Sequence, residues 1–357
     1  MQLNEAIRRL FGRFGQTEQT PRPVRGRVDH VIIIDGTLSS LRDGCETNAG
    51  LAYKLLSSVT NSHMSVRYEA GVQWQAWRTT LDVIEGRGIN RQIRRVYGFL
   101  ASRYRPGDRI FLFGYSRGAY AVRSLAGIID RVGLVRSEHA TERNVQIAYR
   151  HYQRGADSTS RRAFVRRFCH DEAPVEMVGV WDTVKALGFR APILWRWAET
   201  RHAFHNHHLG PTIRHGYHAL ALDETREAYA PVLWTCPEGW DGHVEQMWFR
   251  GTHGDVGGQL SGFEAARPLA NIPLVWILGK AEMCGLALPE GWRTQFPCDP
   301  DAPSVGTTRG WGKLFVLRKR RVVGADPTER LHPTAEKPVP AARPGWLSGM
   351  VWRRPAG

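Results

Sequence analysis

RIFLFGYSRGAYAVRSLAGIIDRVG, residues 109–133, decides the fold. After Arg109, the residues from Ile110 run apolar on consecutive positions up to Gly114, the pattern of a strand covered on both faces of a parallel sheet. The residues after Ser116 place Ala and Leu at helical spacing. Between the two lies Gly114-Tyr115-Ser116-Arg117-Gly118, with glycine two positions before and two after the serine. A nucleophile elbow needs that arrangement, because the turn drives helix against strand and a side chain at either flanking position would collide. The serine oxygen is then held outward at the positive end of the new helix. The bare pattern is short; its place at a strand-to-helix junction gives it weight. The bland alternative is an N-cap serine with packing glycines.

Outward from this segment the same alternation continues. VDHVIIID (28–35) and SVRYEAGV (65–72) read as strands, and NRQIRRVYGFLASRY (90–104) as a helix with Ile93, Val96, Tyr97 and Leu100 on one stripe. VEMVGVWD (175–182) and VEQMWFRG (244–251) are further strands, and PLANIPLVWILGKAEMCG (268–285) a mostly apolar helix. This order predicts an α/β fold: a mainly parallel sheet, helices on both faces, and functional residues just beyond the strands' carboxyl ends. From 191 to 240 the pattern weakens amid aromatic and His residues, which reads as an inserted lid or cap. The expected divisions are a basic extension over 1–27, a catalytic domain over 28–300 and a basic Pro/Arg-rich tail over 301–357. The end of that tail, from Pro338, reads as irregular, with Trp346, Met350, Val351 and Trp352 expected to pack back onto the domain.

A serine hydroxyl needs a base, and the base needs a carboxylate to orient it. Two later apolar runs supply them. VEMVGVWDTVKALG ends on Asp182, and VEQMWFRGTHGDVGG leads into a glycine-rich loop holding His253. Ser, Asp, His is the chain order of α/β-hydrolases. Asp182 has a second reading as a helix N-cap, and His253 as a loop histidine bound to Asp255; Asp255 itself is expected to brace that loop. The early strand ends at Asp35-Gly36-Thr37, so Gly36 or Thr37 can offer a backbone N–H to an oxyanion alongside that of Arg117. Asp35 would brace the loop. A phosphatase reading of Asp35 fails because Ile33 stands where an aspartate pair needs its other member.

FLFGYSRGAYAVRSLAGII, GVWDTVKALG and WFRGTHGDVGG, with the early IIIDGT and TNAGLAYKLL, resemble the type VI secretion phospholipase effectors and their relatives, over about residues 28–285. The resemblance implies an α/β-hydrolase with Ser116 as nucleophile, Asp182 as orienting acid and His253 as general base, acting as a phospholipase A or on a related ester. It also implies a secretion-apparatus or immunity partner and delivery to a target-cell periplasm. No cofactor is expected, and the substrate would be a lipid or other ester.

Composition narrows the rest. The chain has 357 residues, 42% of them hydrophobic, enough for a sizeable core. Five scattered cysteines without a C-x-x-C pair point to synthesis in a reducing compartment, with neither disulfide framework nor zinc knuckle. Neither a secretory signal nor a membrane-length apolar run is written, so synthesis as a soluble cytoplasmic protein is expected. Lys and Arg number 49 against 34 Asp and Glu, a formal charge of +15, which suits an anionic membrane surface or an acidic partner. Nucleic acid is a minor hypothesis: RRAFVRRF (161–168) and RKRR (318–321) are dense, but no recognition motif accompanies them. An adaptor module on the same fold, holding an acidic partner by its basic face, is the alternative to an enzyme. His202, His205, His207, His208, His215 and His218 crowd one span without the H-E-x-x-H spacing, so surface or lid histidines are preferred to a metal site. Trp74, Trp77, Trp195, Trp197, Trp234 and Trp240 are read as core or lid residues.

Overall fold

The apolar runs become strands because each can be covered on both faces. The computed structural model describes residues 25–59, 63–71, 87–184, 209–235, 240–308 and 317–335. Within them β1 (Asp29–Ile34), β2 (Met64–Glu69), β3 (Arg109–Tyr115), β4 (Val175–Trp181), β5 (Ile213–Ala221), β6 (His243–Phe249) and β7 (Glu329–Leu331) form one sheet in the order β2-β1-β3-β4-β5-β6-β7. Every pairing is parallel. This confirms the α/β class expected from the alternating runs, of the α/β-hydrolase-like type that the resemblance implies.

Side chains alternate across the sheet. Ile32, Ile34, Ile110, Leu112, Val178 and Val180 bury one face beneath α2 (Arg87–Ala101), α3 (Arg117–Val132), α4 (Glu142–Arg154) and α5 (Thr159–Phe168). Val31, Ile33, Phe111, Phe113, Met177 and Trp181 bury the other beneath α1 (Asn48–Ser57) and α7 (Arg267–Met283). Burying each such side chain contributes roughly 1.5–3 kcal/mol, so the interleaved faces hold the strand ends firmly. The chain runs from β1 out to β2 and then returns to β3 on the opposite side of β1. The carboxyl ends of β1 and β3 are thus the point where strand order reverses, the place where ligands bind in open parallel sheets.

Two differences from the sequence reading concern the sheet itself. Residues 213–221, read within the insertion, are a full strand between β4 and β6. His215, Gly216 and His218 interrupt the apolar run that would have marked it. His218 is nevertheless fully buried, accepting from the Thr183 N–H at 3.1 Å, with the Gln246 side chain at 3.4 Å from Nδ1. Residues 329–331, read in the basic tail, add a short edge strand against β6. Residues 1–24, residues 191–208 of the expected lid, Trp74, Trp77, Trp195, Trp197, His202, His205, His207, His208 and the tail from 336, with Trp346, Met350, Val351 and Trp352, lie outside the described residues. No helix of the described residues is long and apolar enough to cross a membrane.

Candidate active site

Ser116 follows β3 and opens α3 with φ 57° and ψ −120°, a backbone state that side chains avoid. Its own N–H, donated to the Trp181 carbonyl at 3.0 Å, ties it to β4. The flanking glycines explain how the turn closes. A Cβ at 114 would lie 2.7 Å from the Ala119 Cα, and one at 118 would lie 2.1 Å from the Ile34 carbonyl oxygen. Helix α3 thus presses onto β1 and β3 as closely as bare backbone allows.

Asp182 comes directly after β4, also at positive φ (39°), and its N–H donates to the Ala219 carbonyl at 2.7 Å. His253 comes after β6 as the first residue of a short helix, α6 (His253–Gly257). Thr252 and Asp255 form a capping box that fixes the start of α6. The two loops bring the side chains to one line: His253 Nδ1 is 2.5 Å from Asp182 Oδ2, and Nε2 is 2.9 Å from Ser116 Oγ. An ionised carboxylate only accepts, so Nδ1 carries the proton and the neutral ring presents the Nε2 lone pair to the serine hydroxyl. The imidazole sits between the rings of Tyr115 and Tyr229, at 4.9 and 4.6 Å. All three groups are buried.

Burial acts to raise the Asp182 pKa, but the Arg321 charge and the hydrogen bonds from His253 and Arg321 outweigh it and hold the carboxyl well below the usual range. Burial pulls His253 below its ordinary value of 6.5, against the Asp182 hydrogen bond and charge. The imidazole is therefore neutral at neutral pH. Its backbone N–H donates to Glu224 Oε2 at 3.1 Å, and Glu224 in turn is paired with Arg226 at 2.6 Å.

The surrounding loops are braced by acidic side chains. Asp35 accepts from the Gly36 N–H at 2.6 Å and from the Thr47 and Tyr68 hydroxyls at 2.7 Å each. Burial raises its pKa to about 6 in spite of those bonds. The Gly36 N–H, one of the donors expected for an oxyanion, is thus turned inward to the Asp35 carboxylate. The Thr37 hydroxyl is buried with no hydrogen-bond partner among the described residues. Asp255 accepts from the Thr252 N–H and hydroxyl, the Ser304 hydroxyl and the Val305 N–H, so both its oxygens serve the loop.

Sequence reasoning passed over Arg321, Glu224 and Tyr229. Arg321 stood in RKRR, where a run of four cations reads as solvated surface; its side chain is only 4% exposed, and it reaches both oxygens of Asp182. Glu224 stood in a segment with no chemistry to suggest, and no local signal marks it. Of the His-rich span, His215 and His218 are described and point to opposite faces of β5. Among the described residues no cluster of His, Cys, Asp and Glu is arranged to hold a metal.

The model of the catalytic domain of Tle1-like type VI secretion phospholipase effectors matches residues 29–280, which carry β1 through most of α7 and all three members of the relay. The chain belongs to this family. Of the stretches quoted above for the resemblance, the one around Ser116 folds into the elbow, and those holding Asp182 and His253 into the two later loops. An uncharacterised protein of Saccharomyces cerevisiae, YEL023C, is 26% identical over 231 residues, 57% of this chain and 32% of its own length. Among solved structures, the Tle1 effector bound to the VgrG spike of the type VI secretion system is 18% identical, with a TM-score of 0.40, over 66% of this chain and 52% of that one. An uncharacterised Pseudomonas aeruginosa protein is 15% identical, with a TM-score of 0.44, over 83% and 52%. This Tle1-like chain spans about a third of the yeast relative and about half of each structural neighbour.

Proposed function

We propose that the chain is a serine ester hydrolase of phospholipase A or lipase type, acting through Ser116, His253 and Asp182. One observation carries the reading: three loops from three strands meet as a hydrogen-bonded line, Ser116 Oγ to His253 Nε2 to Asp182, with the serine on a strained strand-to-helix turn. Membership of a phospholipase-effector family supports the lipid ester as substrate.

Ser116 Oγ attacks the ester carbonyl carbon as His253 Nε2 takes its proton, and Asp182 stabilises the imidazolium. The negative oxygen is received by the backbone N–H groups of Arg117 and Thr37, where the helix start adds a positive field. The imidazolium gives its proton to the leaving alcohol, and water, deprotonated by the same imidazole, releases the acid and frees the serine. A secretion-apparatus partner follows only by analogy with the VgrG-bound Tle1 neighbour. The adaptor alternative gains no support from a site whose three members are all present and in hydrogen-bond contact.

A fluorophosphonate probe should label the wild type and leave Ser116→Ala unlabelled. Asp182→Asn should slow turnover by about 10⁴-fold, since the imidazole loses the carboxylate that fixes its tautomer. Products from a mixed phospholipid extract, compared between wild type and Ser116→Ala, identify the bond cut. Equal labelling of both proteins would overturn the serine mechanism.

A further inference from the structure

Residues beyond α7 complete the relay. Arg321 lies past the region that the family model covers, 139 positions from Asp182 in sequence. Its two terminal nitrogens meet the carboxylate side-on: Nη1 is 2.5 Å from Oδ1 and Nη2 is 2.9 Å from Oδ2. The same nitrogens donate to the carbonyls of Ala221 (2.8 Å) and Tyr229 (2.5 Å). The guanidinium is thus anchored on β5 and on the loop whose Tyr229 ring covers His253. Asp182 Oδ1 also accepts from the Ala221 N–H at 3.0 Å, so each carboxylate oxygen has two donors.

The charges around the imidazole balance in pairs. Glu224 is matched by Arg226, Tyr115 and Tyr229 have phenol pKa values raised by burial, and burial pushes His218 down to about 3, which leaves it neutral. Asp182 is matched by Arg321. A completely buried carboxylate without that cation would draw the imidazole strongly toward its protonated form, and a protonated imidazole cannot take the serine proton.

We propose that Arg321 is a positioning residue of the relay, fixing the Asp182 carboxylate on its line to His253 and offsetting its charge so that the imidazole stays a free base. The proposal rests on the serine-hydrolase reading above. It predicts that the strap carrying Arg321 is part of the active site rather than a solvated basic tail.

The test is the pH dependence of fluorophosphonate labelling of Ser116 in wild type, Arg321→Gln and Arg321→Lys, together with the His253 imidazole titration followed by ¹⁵N NMR. Arg321→Gln should move the acid limb of labelling, and the imidazole titration, upward by about one pH unit or more, because the lost cation no longer opposes the imidazolium. Arg321→Lys should return the limb near its wild-type position but with slower labelling, since an ammonium restores charge without the two-pronged grip. A folded Arg321→Gln with limb and titration unmoved would make Arg321 a mere staple of the tail. If Arg321→Gln does not fold, wild-type labelling speed in Arg321→Lys has the same meaning. Wild type that shows no Ser116-dependent labelling overturns the hydrolase reading and this proposal together; wild-type labelling with unmoved limbs overturns this proposal alone.

Discussion

Gly118 shows how narrow the tolerance at the elbow is. A Cβ there would stand 2.1 Å from the Ile34 carbonyl oxygen and 2.5 Å from that of Asp35, both backbone atoms at the end of β1. Neither can swing aside as a side chain tip would, so α3 must lift from the sheet or β1 must shift. Overpacking typically costs about 1–3 kcal/mol, and the rigid contact puts Gly118→Ala at the upper end. Chemical denaturation should show that loss, and Ser116 labelling should fall further than stability does, because the lifted helix carries the Arg117 N–H away from the place proposed for the oxyanion. The strain at Ser116 and Asp182, about 1–3 kcal/mol for each such residue, is held by the ladder bonds of Ser116 to β4 and of Asp182 to β5.

Strand β5 has the second lesson, at the scale of an element. It carries His218 fully buried, between the Thr183 N–H and Gln246, with the Arg123 guanidinium also near. Burial, then the Arg123 charge, lowers its pKa to about 3 from an ordinary 6.5. The unfolded chain therefore binds a proton near pH 6.5 that the folded chain refuses until about pH 3. Stability from this residue is full above 6.5 and falls as pH drops through that window, by at most about 1.4 kcal/mol per pH unit. Asp35 works in the opposite sense: its folded pKa of about 6 lies above its ordinary 3.8, so it favours the fold most at low pH and loses that contribution as pH rises through 6. Urea titrations at pH 7 and pH 5 should show a drop for wild type, and a smaller drop for His218→Gln. An equal drop in both would remove His218 as a source. The strand was hard to see because two histidines and a glycine stand where an apolar run was sought, and only the partners on β4 and β6 make them acceptable inside.

Across the whole molecule, the strap of residues 317–335 is fastened at two points. Arg321 enters the relay, and Glu329 on β7 accepts from the Trp248 indole at 2.7 Å and from the Gly324 and Asp326 N–H groups at 3.1 and 2.7 Å. Glu329 touches none of the three relay residues in these bonds. Glu329→Ala should nonetheless slow Ser116 labelling several-fold and open the strap to limited proteolysis, because the turn that delivers Arg321 loses its inner partner. Unchanged labelling would show that the strap's two fastenings act independently. Val322 and Val323, which follow the buried Arg321 side chain, are exposed, so the strap turns one cation inward while the residues after it face solvent.

Strand and helix runs, the parallel order and the glycine-flanked serine could be read directly, because each is written in a local period or in fixed short spacing. So could the ends of β4 and β6, where Asp182 and His253 follow apolar runs. What only the folded chain settles is who meets whom across long separations: Asp182 with Arg321, and the His253 N–H with Glu224. A cation in RKRR has the same local neighbours whether it faces water or a buried carboxylate, and only the folded sheet sets which it meets.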